Sequence, residues 1–190
     1  MNKGKKLPGE SYSPEQIKSL LAQFNTRYPC PLRNRALCVV MWRCGLRVSE
    51  ALDLMPGDVR DGVVKVLNGK GGKARIVALD PQGQAILQAW LDRKAKLGIG
   101  GPIFSTLKGT RLSANYVREA LPRAAKKAGI TQRMHPHGLR HSFACDLAKQ
   151  GAPLRVISKS LGHGTFATTQ VYMDHLLPQE IIDTLKNREW

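Results

Sequence analysis

Six side chains in five short segments of this 190-residue sequence are of the types that hold or attack a phosphodiester. In Gly45-Leu46-Arg47-Val48-Ser49-Glu50 an arginine follows a glycine turn at the start of a helix. Its planar fork can meet phosphate oxygens, and a helix N-terminus adds positive potential. The plainer reading is a surface arginine with Glu50 as its helical neighbour. Lys70 sits among the glycines of Asn68-Gly69-Lys70-Gly71-Gly72-Lys73, where the backbone can come close to a phosphate and the ammonium can reach in. A solvated turn with several lysines would read the same way. In His137-Gly138-Leu139-Arg140-His141 a histidine and an arginine three apart share one helical face. Arg140 can neutralise non-bridging oxygens, and His137 can donate a hydrogen bond or move a proton. A capping histidine beside a salt-bridged arginine is the alternative. His163 follows a glycine turn in Leu161-Gly162-His163, and Tyr172 lies nine residues further on. Tyrosine is far more often a core or rim residue than a nucleophile, so only its company argues for chemistry.

The elements that must position these groups are mostly helical. Ser13-Pro14-Glu15-Gln16 combines an N-cap serine, a first-turn proline and a capping-box glutamine, and Ile17, Leu20, Leu21 and Phe24 then share a face. A second helix is expected from about Leu32 to Cys44, stopped by Gly45, and a short one from Val48 to Leu54. The period then changes. Residues 63–67 and 75–79 are β-branched runs around the glycine-rich segment and predict a β-hairpin. Further helices are expected from Asp80-Pro81 to about Lys96, from Ser113 towards Ala128, from about His137 to Gln150, and from Pro153 to near Leu161. Two more are expected over Thr168–Met173 and Pro178–Asn187. Residues 1–12 read as a flexible basic tail, leaving 13–190 as one domain, α+β in class: mostly α with a small antiparallel hairpin.

Thirty Lys and Arg against 14 Asp and Glu give a formal charge of +16. Such an excess repels itself unless a polyanion binds, which makes nucleic acid the leading partner over an anionic lipid surface. The four cysteines show no CxxC spacing and lie in apolar helical stretches, which predicts buried free thiols in a reducing cytoplasm. His135 and His137 offer only an HxH, so neither a metal site nor a cofactor is expected. No apolar run approaches a membrane span, and the basic N-terminus lacks the apolar core of a signal peptide.

Taken together, GLRVSE, GKGGKAR, HGLRH, LGH and the tyrosine nine residues later resemble the tyrosine recombinase (phage integrase) family in order and spacing, from about Ser13 to Tyr172. The resemblance implies the DNA breaking-rejoining catalytic-domain fold and site-specific recombination (integration, excision or inversion). Arg47, Arg140 and His163 would clamp the scissile phosphate, and Tyr172 would attack it to form a 3′-phosphotyrosyl bond. His137 would serve as acid/base partner, Lys70 would protonate the departing 5′-oxygen, and Glu50 would orient Arg47 or a histidine. It also implies double-stranded DNA as substrate, a homotetramer on two DNA sites, a monomer or weak oligomer when free, and DNA-bending accessory proteins. Only about a dozen residues precede the first catalytic-domain helix, so the separate N-terminal DNA-clamping domain of most family members is expected to be missing, as in the short recombinases that invert fimbrial switches. The large charge and Lys3, Lys5 and Lys6 are expected to compensate in part. Two other readings stay open: a type IB topoisomerase-like relaxing enzyme, and a non-catalytic DNA-binding accessory protein on the same scaffold.

Overall fold

The computed structural model describes residues 11–67 and 74–162. Lys70, His163, Tyr172 and the helices expected beyond Thr168 lie outside the described residues.

Seven α-helices and a three-stranded sheet are described. They run α1 (Pro14–Ala22), α2 (Pro29–Arg43), α3 (Val48–Asp53), β1 (Val59–Arg60), β2 (Val63–Val66), β3 (Arg75–Ala78), α4 (Pro81–Lys96), α5 (Ala114–Lys127), α6 (Pro136–Lys149) and α7 (Leu154–Leu161). Helix α2 is the centre of the packing, lying against α4 and α6. Its residues Ala36 to Trp42 are buried without a polar face, as a helix wrapped on all sides must be. It starts three residues earlier than expected because Pro29 and Pro31 both fall in its first turn, where a missing N–H leaves no bond unmade. The free thiols of Cys38 and Cys44 are buried here, and burial pushes both up to about 12, so they remain protonated.

Helix ends follow their capping residues. Ser13 and Gln16 form a reciprocal capping box on α1, Asp80 accepts from the Gly83 N–H at α4, and Ser113 accepts from the Tyr116 N–H at α5. Beyond α2, Gly45 takes a left-handed φ of +60°, and a Cβ there would stand 2.3 Å from the Phe143 ring. Gly45→Ala is therefore expected to destabilise the fold by about 2–5 kcal/mol, from left-handed strain plus overpacking. Chemical denaturation measures it, and a change under about 0.5 kcal/mol, the surface-substitution level, would contradict this packing.

The sheet has one strand more than expected. Its order is β1-β2-β3, antiparallel throughout, with Val59↔Val64 and Arg60↔Val63 joining the first pair and Val64↔Val77 and Val66↔Arg75 the second. Asp61 and Gly62 alone connect β1 to β2, and both have positive φ (50° and 75°), as a two-residue type I′ turn requires. Strand β3 delivers its first residue, Arg75, to the interior between the sheet and α7.

The tail boundary also differs. Tyr12, expected at the end of a flexible segment, is buried: its N–H donates to Ser142 Oγ at 2.7 Å and its hydroxyl donates to the Arg133 carbonyl at 3.0 Å. That hydroxyl also accepts the His135 N–H, and the ring lies on Gly138, where a Cβ would come within 2.2 Å of the tyrosine oxygen. An aromatic ring with a satisfied hydroxyl gains by burial, so the chain is fastened to α6 before α1 begins.

Candidate active site

The site is organised by one buried carboxylate. Glu50 is the third residue of α3, and its Oε2 accepts the backbone N–H of Arg47, the residue that caps this helix, at 2.7 Å. Its Oε1 accepts from Arg47 Nη1 at 2.7 Å. Arg75 closes on the same carboxylate with a bidentate fork, Nη1 to Oε1 at 2.9 Å and Nη2 to Oε2 at 2.8 Å. Arg140 stands third, its Nη1 3.7 Å from Oε2. Three guanidiniums thus surround one carboxylate that is only 4% exposed. Burial alone would raise the Glu50 pKa, but the Arg75 hydrogen bonds, the Arg47 N–H, the Arg75 charge and the Arg47 side-chain hydrogen bond outweigh it and hold the group at about 2.

The arginines differ in what they leave available. Arg47 stays partly exposed, and apart from its bond to Glu50 its guanidinium has no hydrogen-bond partner among the described residues. Arg140 is fully buried, donating from Nη1 to the Gly45 carbonyl at 2.7 Å and from Nη2 to the Leu161 carbonyl. These two carbonyls are the backbone on either side of the site, next to the glycine turns that precede Arg47 and His163. His137 is exposed, whereas Arg140, three residues on in the same helix, lies beneath the surface.

His137 opens α6 one residue after Pro136, while His135 caps the helix by accepting the Gly138 N–H on Nδ1 at 3.0 Å. The His137 ring meets the His141 ring edge-on at 4.3 Å between centroids. Desolvation, then the positive charges of Arg140, His135 and Arg47, lower its pKa below 6.5. A neutral imidazole at pH 7 can accept a proton, which a charged one cannot. NMR titration of this ring is expected to give a midpoint below 6.5; one at or above that value would contradict the arrangement.

Of the residues expected in the site, the structure brings Arg47, Glu50 and Arg140 together, and His137 lies near enough to feel the charges of Arg140 and Arg47. Lys70, His163 and Tyr172 lie outside the described residues, although Lys70 falls between β2 and β3 and His163 directly follows Gly162, the left-handed end of α7. Arg75 was missed. It stood inside the quoted GKGGKAR segment, but nothing in a sequence pairs it with a glutamate 25 positions earlier. Among the described residues no group of three or more His, Cys, Asp or Glu could hold a metal ion, and no helix is long and apolar enough to cross a membrane.

The profile of the phage integrase family matches residues 10–177. The chain belongs to the phage integrase family. Among its curated relatives are the tyrosine recombinase XerD of Mycobacterium leprae, 38% identical over 182 residues (89% of this chain and 57% of the relative), and the tyrosine recombinase XerC of Halalkalibacterium halodurans, 39% identical over 178 residues (88% and 58%). The chain therefore spans a little over half the length of these relatives. Solved integrase-family structures agree in fold. XerA recombinase superposes with a TM-score of 0.82 at 28% identity, covering 95% of this chain and 66% of that one. XerH recombinase in a post-cleavage complex with its palindromic difH substrate superposes at 0.79 with 25% identity, covering 98% and 55%. The mostly helical domain with its small antiparallel sheet is thus the tyrosine recombinase catalytic-domain fold.

Proposed function

We propose that this chain cleaves and rejoins double-stranded DNA at specific sites, as a tyrosine recombinase working through a 3′-phosphotyrosyl intermediate. The observation that carries this reading is the arginine cluster: three guanidiniums held by one carboxylate, with the surplus charge of Arg47 turned outward beside a neutral His137. Preorganised cations of this kind stabilise the charge that builds on non-bridging oxygens in a phosphoryl-transfer transition state. Membership of the integrase family and the DNA-bound recombinases among its structural relatives support the same substrate.

In this reading the Tyr172 oxygen attacks the phosphorus in line while His137 accepts the phenolic proton. The bond from phosphorus to the 5′-oxygen breaks, and Lys70 protonates the departing oxygen. Arg47 and His163 hold the non-bridging oxygens. Arg140 joins them by exchanging one of its carbonyl bonds, to Gly45 or Leu161, for a phosphate oxygen. The phosphotyrosyl ester keeps the phosphodiester energy, so a new 5′-hydroxyl can displace Tyr172 without ATP. Exchange between two duplexes cuts four strands and requires four subunits, with DNA-bending proteins bringing the sites together in the cytoplasm. Arg118 and Lys126 on α5 are exposed and available to the duplex, while the exposed Arg123 pairs with Glu119 at 2.6 Å.

Covalent trapping tests this reading. Wild-type protein is incubated without metal with duplex DNA from the ends flanking its gene, nicked near the cleavage point, then denatured. An adduct retaining the label on the 3′ side is expected. Tight DNA binding with no adduct would defeat the enzymatic reading, and relaxation without paired-site products would redirect it to a topoisomerase.

A further inference from the structure

We infer that Arg75 is the positioning residue of the site, fixing the Glu50 carboxylate so that Arg47 presents its outward N–H groups in one orientation; this rests on the recombinase reading above.

Arg75 joins the Glu50 carboxylate to the end of α7. Its Nη1 and Nη2 take both oxygens of Glu50, which sets the plane of the carboxylate instead of merely neutralising it. Its Nε donates to the Ser160 carbonyl at 2.8 Å, three residues ahead of His163. Through its backbone it opens β3, paired with Val66 of β2, five residues after Lys70. The side chain is 8% exposed, so it offers little to a ligand directly. Gly162 gives it room: a Cβ at that position would come within 3.1 Å of Arg75 Cδ and Nη1.

A simple structural ion pair would not need this geometry. Lysine keeps the charge but has no planar fork, so it can hold one Glu50 oxygen or the Ser160 carbonyl and leaves the carboxylate free to turn. Arg47 shares Oε1 with Arg75, and a turned carboxylate swings the Arg47 guanidinium with it. Misplacement of a clamp by about 1 Å can slow a reaction on the order of 10²-fold. Binding to DNA, which depends on total charge, should be untouched because Arg75→Lys preserves charge.

The test compares wild type, Arg75→Lys and Arg75→Ala by two measurements. One is the single-turnover rate of adduct formation on saturating nicked duplex, with affinity measured in parallel and the folded fraction checked by thermal melting. In Arg75→Lys the rate is expected to fall about 10–100-fold with affinity within about threefold, well short of a phosphate-contact loss. Millimolar ethylguanidinium is expected to restore part of the rate in Arg75→Ala by refilling the vacated site. The other is the titration of the Glu50 carboxyl in free protein by NMR, whose midpoint should rise from about 2 towards 4.5 in Arg75→Lys. A wild-type rate in Arg75→Lys, or a loss that only follows unfolding and resists ethylguanidinium, overturns the assignment. If wild type itself forms no adduct, the recombinase reading falls. The titration then decides alone, and an unmoved Glu50 midpoint overturns the role of Arg75.

Discussion

Glu50→Gln is expected to cost the fold about 3–5 kcal/mol, because it leaves buried arginine charge without its partner. For a domain of this size that is a fall in Tm of about 6–20 °C. The amide keeps one acceptor oxygen, where four N–H groups now bond two, and turns its own N–H₂ towards a guanidinium. The pH dependence carries the same signature. The Glu50 pKa is depressed in the folded state from 4.5 to about 2, so its stabilisation is complete above pH 4.5 and is lost as pH falls towards 2. Denaturant melts between pH 5 and 2 should therefore show a steep loss in wild type and a shallower one in the glutamine variant. Equal slopes would show that Glu50 is not the group responsible.

Tyr172→Phe is expected to abolish the covalent adduct while DNA binding persists. Only the phenolic oxygen is removed, and the arginine cluster is untouched. The other three tyrosines are poorly placed to replace it. The Tyr12 hydroxyl is engaged with Arg133 and His135. Tyr116 accepts from Arg33 and Asn34 near the start of α2, and Tyr28 caps that same end. Helix α2 itself is about 22 Å long at 1.5 Å per residue, and Arg47 follows its opposite end in the chain. An adduct surviving in Tyr172→Phe would move the nucleophile elsewhere and undo the assignment.

Much of this architecture was legible in local chemistry. Ser13 with Gln16, Asp80 before Pro81, Ser113, and the glycines at 45 and 162 act over one turn of chain, and the elements begin or end where they stand. The Asp61-Gly62 turn was equally local, a two-residue signal flanked by valines at 59 and 63. The longer glycine-rich segment carries the louder turn signal, and the two-residue strand β1 is too short to show a period of its own. What no window of sequence carries is partnership at long range. The burial of Tyr12 depends on Ser142, 130 positions away, and Arg75 reaches Ser160 across 85. Arg140 illustrates the same limit within the site. Its type and its spacing from His137 marked it out, but the Gly45 and Leu161 carbonyls that draw it inward become its neighbours only when α2, α6 and α7 have packed.

The Tyr12 anchor has a geometric consequence. Tyr12 ties the chain ahead of α1 to the helix that carries His137 and Arg140, so the start of the described domain and one wall of the site are fixed by the same contacts. A displacement of Tyr12 therefore enters the domain through α6, by way of Ser142 and of Gly138, the residue after His137.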